Sequence, residues 1–383
     1  MKEMVEVKRD LSIDCVKGLA IIAIVLSHLH FYMPSIPENK IYLSNFVVQL
    51  WHVPVWFCIA GFFIKEERLS RPIEFIAKKT RTLYVKTILF YVMAVLLHNT
   101  FLRVGLYSEQ IDYGGKYMFF YSVKDTVVNL FKAVFFMGRE PIVGPLWFAY
   151  VLFEALCGYS LLTFAMSEFF RCEKNQKFLI KGCVILTMTI VSNILSQNFG
   201  ITQNRASNVF PAMLLIYIGQ WFNVERKMNY NSSLMAIVCF LLIVQVGLSS
   251  GGIHLNDNVF HDVFHLIVGG CAYTYLLLFL IKKCNCTFVK KILAFLGKYS
   301  FAIMALHLLC FKLCICAWNG IFHTSLNIAA LSPEIGRQYI MGVIFLLISC
   351  FLPAVLGVFF EKCVVKNAKS IYGTIVCNVS KKS

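Results

Sequence analysis

The chain has 383 residues, of which 58% are hydrophobic, 15% aromatic and only 15% charged. A mean hydropathy of +0.70 excludes a soluble globular enzyme and places the chain among polytopic membrane proteins. The net charge of +16 does not point to nucleic acid, because the cations fall in short clusters between apolar runs, the pattern that orients a membrane protein.

Windowed hydropathy predicts an all-α integral membrane protein with about ten transmembrane helices, near residues 16–34, 45–64, 83–103, 145–166, 178–197, 206–223, 233–248, 262–281, 300–318 and 338–360. With the N-terminus in the cytoplasm, 25 Lys and Arg residues fall on inside segments and eight on outside ones, so both termini are expected to be cytoplasmic. A single integral domain is expected, with a cytoplasmic headpiece 1–15, a bundle 16–360 in contact with membrane lipid, and a cytoplasmic tail 361–383. The 15 cysteines lie mostly within apolar runs, where a free thiol behaves as a small hydrophobe. They predict neither a disulfide framework nor a metal site.

In the first helix, Lys17 and His28 are 11 residues apart, about three turns and 16 Å, and share a face. Lys17 is expected at the cytoplasmic interface and His28 near mid-membrane, where an ionisable group is a functional candidate as well as a possible bundle hydrogen bond. Helix 2, NFVVQLWHVPVWFCIAGFFI, carries His52 to a similar depth, some 10 Å in from the outside. Pro54 is expected to kink it there and open space beside His52.

The next segment, KEERLSRPIEFIAKKTRTLYVK, is the most basic in the chain and reads as a cytoplasmic orientation signal or a contact for anionic lipid. The outside segment 104–144 contains DTVVNLFKAVFFMG, an amphipathic stretch expected at or dipping into the outer interface. It leads to Trp147, which suits an interfacial anchor or a stacking face for a sugar ring. Glu154, deeper in that helix, is a carboxyl group that must be neutral, paired or hydrated, and is a candidate to orient a histidine. Between 178 and 283 the signal weakens. Arg205, Pro211, Gln220, His261, Asp262 and His265 are candidate lining residues, and SSGGIHLNDNVFHD reads as a flexible outer loop. Near the C-terminus, LGKYSFAIMALHLL sets His307 about 10 Å above the cytoplasmic end of its helix.

Several of these residues resemble the motifs of the acyltransferase 3 family, membrane-embedded O-acyltransferases that modify glycans. Arg9, Asp14, Lys17-Gly18 and His28 resemble its headpiece, in which Arg-x4-Asp-x2-Lys/Arg-Gly leads into a Lys/Arg-x10-His helix. His52-Val53-Pro54 with Gly61 is similar to its His-x-Pro helix, Lys79-Thr80-Arg81 to its Lys/Arg-x-Arg motif, and Gly144-Pro145-Leu146-Trp147-Phe148 to its GPLWF signature. Gly297, Ser300 and His307 resemble its Gly-x-x-Ser…His helix, although Met304 stands where the family usually has tyrosine.

The resemblance implies transfer of an acyl group, acetyl first among the candidates, from cytoplasmic acetyl-CoA to a glycan hydroxyl at the outer face. The acceptor would be a surface polysaccharide, a lipopolysaccharide or a lipid-linked sugar, and the membrane the inner or plasma membrane of a bacterium. On this reading His28, His52, Glu154 and His307 are the catalytic candidates. Arg9, Asp14, Lys17, Lys79 and Arg81 would hold the donor, with arginine gripping phosphate bidentately and lysine supplying a point charge, and Trp147 would meet the acceptor. Acyl transfer from a thioester needs a base at the hydroxyl and donors for the tetrahedral oxyanion; a buried neutral histidine suits the first task. His28 as base is favoured over an acyl-histidine intermediate, which the same position also allows. The rival reading is a multi-pass transporter that uses the histidines as a proton relay or gate.

Overall fold

The computed structural model describes residues 11–33, 35–36, 41–138, 140–199, 208–223, 230–249 and 251–362. In chain order its helices are α1 (Leu11–Ser27), α2 (Asn45–Phe62), α3 (Glu66–Leu69), α4 (Pro72–Arg103), α5 (Val123–Val134), α6 (Pro141–Phe169), α7 (Lys174–Phe199), α8 (Val209–Asn223), α9 (Ser233–Ser249), α10 (Val263–Lys283), α11 (Thr287–Lys298), α12 (Ser300–Phe322) and α13 (Tyr339–Phe360). Among the described residues, seven of these are long and apolar enough to cross a membrane: α2, α4, α6, α7, α10, α12 and α13. The shorter apolar helices α1, α8 and α9 coincide with the other three expected spans. Large apolar side chains such as Leu96, Leu241, Val343 and Phe359 are exposed on the outside of the bundle, as a surface solvated by lipid requires.

Three boundaries differ from the sequence reading. The first helix ends at Ser27 rather than near 34, because the chain beyond it pairs with a distant segment. The His30 N–H donates to the Pro333 carbonyl at 3.2 Å, the Tyr32 N–H to Gly336 at 2.8 Å, and the Gly336 N–H returns to His30 at 3.0 Å. The basic cytoplasmic segment is helical from Pro72 and runs into its span through a wide turn over Thr80–Tyr84. Finally, α11 occupies what the sequence offered only as a connection. Its Leu293 and Leu296 are buried while Phe288 is exposed, as expected of an amphipathic helix that does not span.

The packing of α11 on α1 explains two glycines of the sequence motifs. A methyl group on Gly18 would strike the Leu293 carbonyl, and one on Gly297 would strike the Asp14 carbonyl. The two backbones therefore touch, which only small residues at the crossing allow. A second such crossing joins α2 to α8, where Gly61 meets the Ile216 carbonyl and Gly219 meets the Cys58 carbonyl. Both crossings hold the helices that carry His28 and His52.

At the end that the charge bias places outside, buried ions fix the connections. The Lys312 ammonium on α12 donates to the carbonyls of Leu106, Ile328, Ala329 and Ala330 at 2.7, 3.0, 3.0 and 3.2 Å, tying two separate loops to one helix. His98 on α4 is fully buried. Its Nδ1 lies 3.1 Å from both carboxylate oxygens of Glu140, and its Nε2 is 3.0 Å from the Phe119 carbonyl. Both ring nitrogens thus face acceptors, so the ring is held from both sides. Tyr121 and Tyr107 donate to the same carboxylate at 3.0 and 3.3 Å. Burial, and after it the Glu140 charge, raise both phenols above the usual tyrosine range, so they remain donors. The amphipathic α5 begins with a Ser122–Asp125 capping box and packs on the outer half of α4, where Asn99 bonds both the carbonyl and the N–H of Tyr121 at 2.9 and 2.7 Å.

Candidate functional site

A cavity of about 430 Å³ opens among the ends of α1, α2, α6 and α12 and the loop 251–262; its lining includes Ser27, His28, Gln49, His52, Trp147, His254, Asn256 and Met304. Each element delivers its residue for a local reason. Ser27 donates its hydroxyl to the Ile24 carbonyl at 2.7 Å as α1 stops, which leaves His28 in the following turn, half-buried at the cavity wall. The α2 span is interrupted over 50–53, and its regular helix restarts with Pro54 at the first position, where a missing N–H has no consequence. His52 sits in that interruption. Its Nδ1–H donates to the Val48 carbonyl at 2.8 Å, a bond that fixes the tautomer and leaves Nε2 as the proton acceptor. The expected opening beside Pro54 is thus present, as a break rather than a kink.

His307 is reached differently. It is fully buried on α12 and lies outside the cavity lining. Its ring stacks on that of His28 with centroids 5.1 Å apart and planes 22° from parallel, while its Nδ1–H donates to the Ile303 carbonyl at 2.9 Å. It can hold the His28 ring in place, and it cannot touch a ligand in the cavity without moving. Met304, one turn before it, does line the cavity, so the residue that departs from the family pattern faces the site. Trp147 also lines the cavity, as the first residue of the regular helix after the turn Pro141–Leu146.

The structure brings together His28, His52, Trp147 and, one layer behind, His307. The remaining candidates lie elsewhere. Lys17 is at the other end of α1, 3.9 Å from Asp14 and with its ammonium 4.9 Å from the centre of the Phe63 ring. Lys79 packs its ammonium over Phe75 at 5.3 Å, and Arg81 is exposed. Glu154 does not line the cavity. Gln220 is buried in a different network near the opposite end, where its Nε2 donates to Glu66 at 2.9 Å and Lys181 donates to the same carboxylate at 2.7 Å. Arg9 and Arg205 fall outside the described residues.

Sequence reasoning missed His254 and Asn256, because it read their loop as flexible. The loop is built in. The Ile253 N–H donates to the Gln49 carbonyl at 3.1 Å and the His254 N–H to Val259 at 2.8 Å. Asn258, buried with φ of 55°, donates its amide to the Ser192 and Ser196 hydroxyls at 3.1 and 2.7 Å. Asparagine tolerates that left-handed backbone better than most residues. The asparagines and glycines of the segment signal a turn; nothing in their spacing signals a turn folded against a cavity.

A family model described as an acyltransferase domain, that of the acyltransferase 3 family, matches residues 10–360. No curated protein and no solved structure matches the chain. The family match spans nearly the whole chain, which therefore belongs to the acyltransferase 3 family and is a membrane acyltransferase.

Proposed function

We propose that this acyltransferase moves an acetyl group from cytoplasmic acetyl-CoA to a hydroxyl of a surface or cell-envelope glycan, and that the cavity receives the glycan. The observation that carries the reading is the convergence of His28, His52 and Trp147 on one cavity, of a size suited to a small ligand or one sugar unit of a longer one. The amide and hydroxyl groups of Gln49, Asn256 and Ser332 in its wall offer hydrogen bonds to a polyol. Trp147 offers a face for a sugar ring.

The reaction needs one proton carrier. His28 takes the proton of the acceptor hydroxyl as the oxygen attacks the thioester carbonyl, forming the new C–O bond and a tetrahedral oxyanion. The intermediate collapses by breaking the C–S bond, and the imidazolium returns its proton to the departing coenzyme A thiolate. His307, stacked beneath, keeps the ring oriented. His52, with Nε2 as acceptor, lines the same cavity and holds the acceptor hydroxyl or a water. The donor enters from the opposite end of α1, where Asp14, Lys17, Lys79 and Arg81 meet its nucleotide. The about 16 Å from Lys17 to His28 is a distance that an extended pantetheine arm can cover. The inner or plasma membrane of a bacterium is the setting this scheme requires.

The test is acetyl transfer by the full chain in nanodiscs, with acetyl-CoA on one side and a panel of polysaccharide and lipid-linked acceptors on the other. His28→Ala should lower turnover by about 10²- to 10⁴-fold, the range of one general base, with an unchanged thermal unfolding midpoint. Turnover within a few-fold of the parent would remove His28 from the chemistry.

A further inference from the structure

Away from the cavity lining, His261, Asp262 and His265 lie where the loop 251–262 enters α10, each with one potential ligand atom within 4.8 Å of the other two. Asp262 caps the helix, with Oδ1 accepting the His265 N–H at 2.9 Å. Its other oxygen is 2.9 Å from His261 Nδ1. The His265 ring is 8% exposed, and its Nδ1 stands 2.8 Å from Asp262 Oδ1 without the geometry of a hydrogen bond.

The second nitrogen of His265 decides what that contact means. Its Nε2 is 3.3 Å from the Ser249 hydroxyl oxygen. The Ser249 hydroxyl is also 3.3 Å from the Val246 carbonyl, so it can donate there and accept from His265 Nε2. With the proton on Nε2, Nδ1 presents a lone pair beside a carboxylate oxygen at 2.8 Å. Two lone pairs at that distance repel unless a cation lies between them.

From this we propose that His261, Asp262 and His265 form a binding site for a divalent transition-metal ion, zinc foremost, in place of the metal-free chain expected from the cysteine pattern. Two imidazole nitrogens and one carboxylate oxygen are a ligand set that zinc accepts, with a fourth position left for water. Ligands about 2.0 to 2.1 Å from a tetrahedral ion stand a little over 3 Å apart; His265 Nδ1 is 2.8 Å from Asp262 Oδ1 and His261 Nδ1 is 2.9 Å from Oδ2, so a small turn of these side chains sets three ligand atoms, already within 4.8 Å of one another, around one ion. Ser249 serves as the outer partner that fixes the His265 tautomer. His261, on the exposed side with 61% of its side chain accessible, closes the site once the ion is bound. The consequence is mechanical. The metal pins the end of the loop that brings His254 and Asn256 to the cavity wall.

The experiment uses the tag-free full chain in detergent, stripped with chelator and titrated with Zn²⁺ by calorimetry and with Co²⁺ by visible absorption. One ion per chain, a raised unfolding midpoint with zinc, and Co²⁺ bands of four- or five-coordinate intensity are expected. His261→Ala alters an exposed side chain, and Asp262→Ser keeps an N-cap residue; each should weaken zinc binding by more than about tenfold with little change in the metal-free midpoint. Absence of zinc binding, or binding left intact in both variants, would overturn the site and leave an imidazolium–aspartate cap.

Discussion

The outer connections and the basic cytoplasmic segment are both polar chain bordering an apolar bundle, yet they are held in opposite ways. On the outer side, the connections between helices are tied down by buried charge: Lys312 by four carbonyls, and His98 by Glu140 with two tyrosines behind it. On the cytoplasmic side, the start of the basic segment is also tied, with Glu66 accepting from Lys181 and Gln220 at 2.7 and 2.9 Å, but its cationic stretch is not: Arg81 is exposed, and the Arg71–Glu74 pair at 3.9 Å is exposed on both partners, so that such contacts contribute little to stability. The outer end is thus fixed by its own contacts, whereas the cationic stretch of the basic segment presents charges that the proposed donor would organise. For a transfer enzyme this division makes chemical sense. The reacting geometry needs a fixed base, while the nucleotide of a soluble donor must enter and leave in every cycle.

The largest expected effect tests whether the outer side is locked by charge. Glu140→Ala removes one partner of a buried pair and leaves His98 and two phenols facing an empty site, which costs about 3–5 kcal/mol. Thermal unfolding in detergent should show a clearly lower midpoint, and the Trp147 side of the cavity should open, read as faster exchange of the amides from 140 to 148. Glu140→Gln, which keeps acceptor and donor atoms without the charge, should lose less. If Glu140→Ala unfolds at the parental midpoint, the outer connections are held by packing, and the contrast with the cytoplasmic side disappears.

On the cytoplasmic side the comparison predicts an effect on binding with none on stability. Arg81→Ala should weaken acetyl-CoA by about 10- to 150-fold, the equivalent of roughly 1.5–3 kcal/mol for hydrogen bonds to a charged group, with the unfolding midpoint unchanged because the side chain is exposed. Arg81→Lys should recover part of the affinity, since lysine keeps the charge and loses the fork. Binding measured on the isolated variant decides it: parental affinity in Arg81→Ala would leave the segment as an orientation signal.

How far each side was legible in the sequence follows the same division. The spans, the glycine-bearing motifs and the residues His28, His52 and Trp147 were visible because hydropathy and short motifs are local, and their helices follow local rules. The termination of α1 at Ser27 was not visible, since it depends on pairing with residues 333–336, some three hundred positions away. For the same reason the loop that carries His254 and Asn256 read as flexible; its anchors are Gln49, Ser192 and Ser196. Glu154 lies seven positions after Trp147 and yet does not line the cavity, because depth in a helix does not fix azimuth. His98 and Glu140, which form the strongest polar anchor of the outer side, lie 42 positions apart and share no motif.

The smallest effect separates the two readings of Trp147, interfacial anchor and sugar platform. The side chain is partly accessible and lines the cavity, and its ring lies 6.4 Å from that of Phe148 at 85°, edge to face, so part of the indole surface is already committed to packing. Trp147→Phe keeps an aromatic face in the cavity and shortens it. An acceptor stacked there should lose about 0.4–1.4 kcal/mol, a roughly two- to tenfold rise in the glycan KM. Because a stacking contact is made equally in the bound ground state and in the transition state, kcat should stay near the parental value, and so should the KM for acetyl-CoA, which enters from the other side. An interfacial anchor predicts a different pattern, with both KM values unchanged and only the unfolding midpoint lowered. A rise in the acetyl-CoA KM alone would contradict both, since it would place the donor against the wall that the outer connections hold.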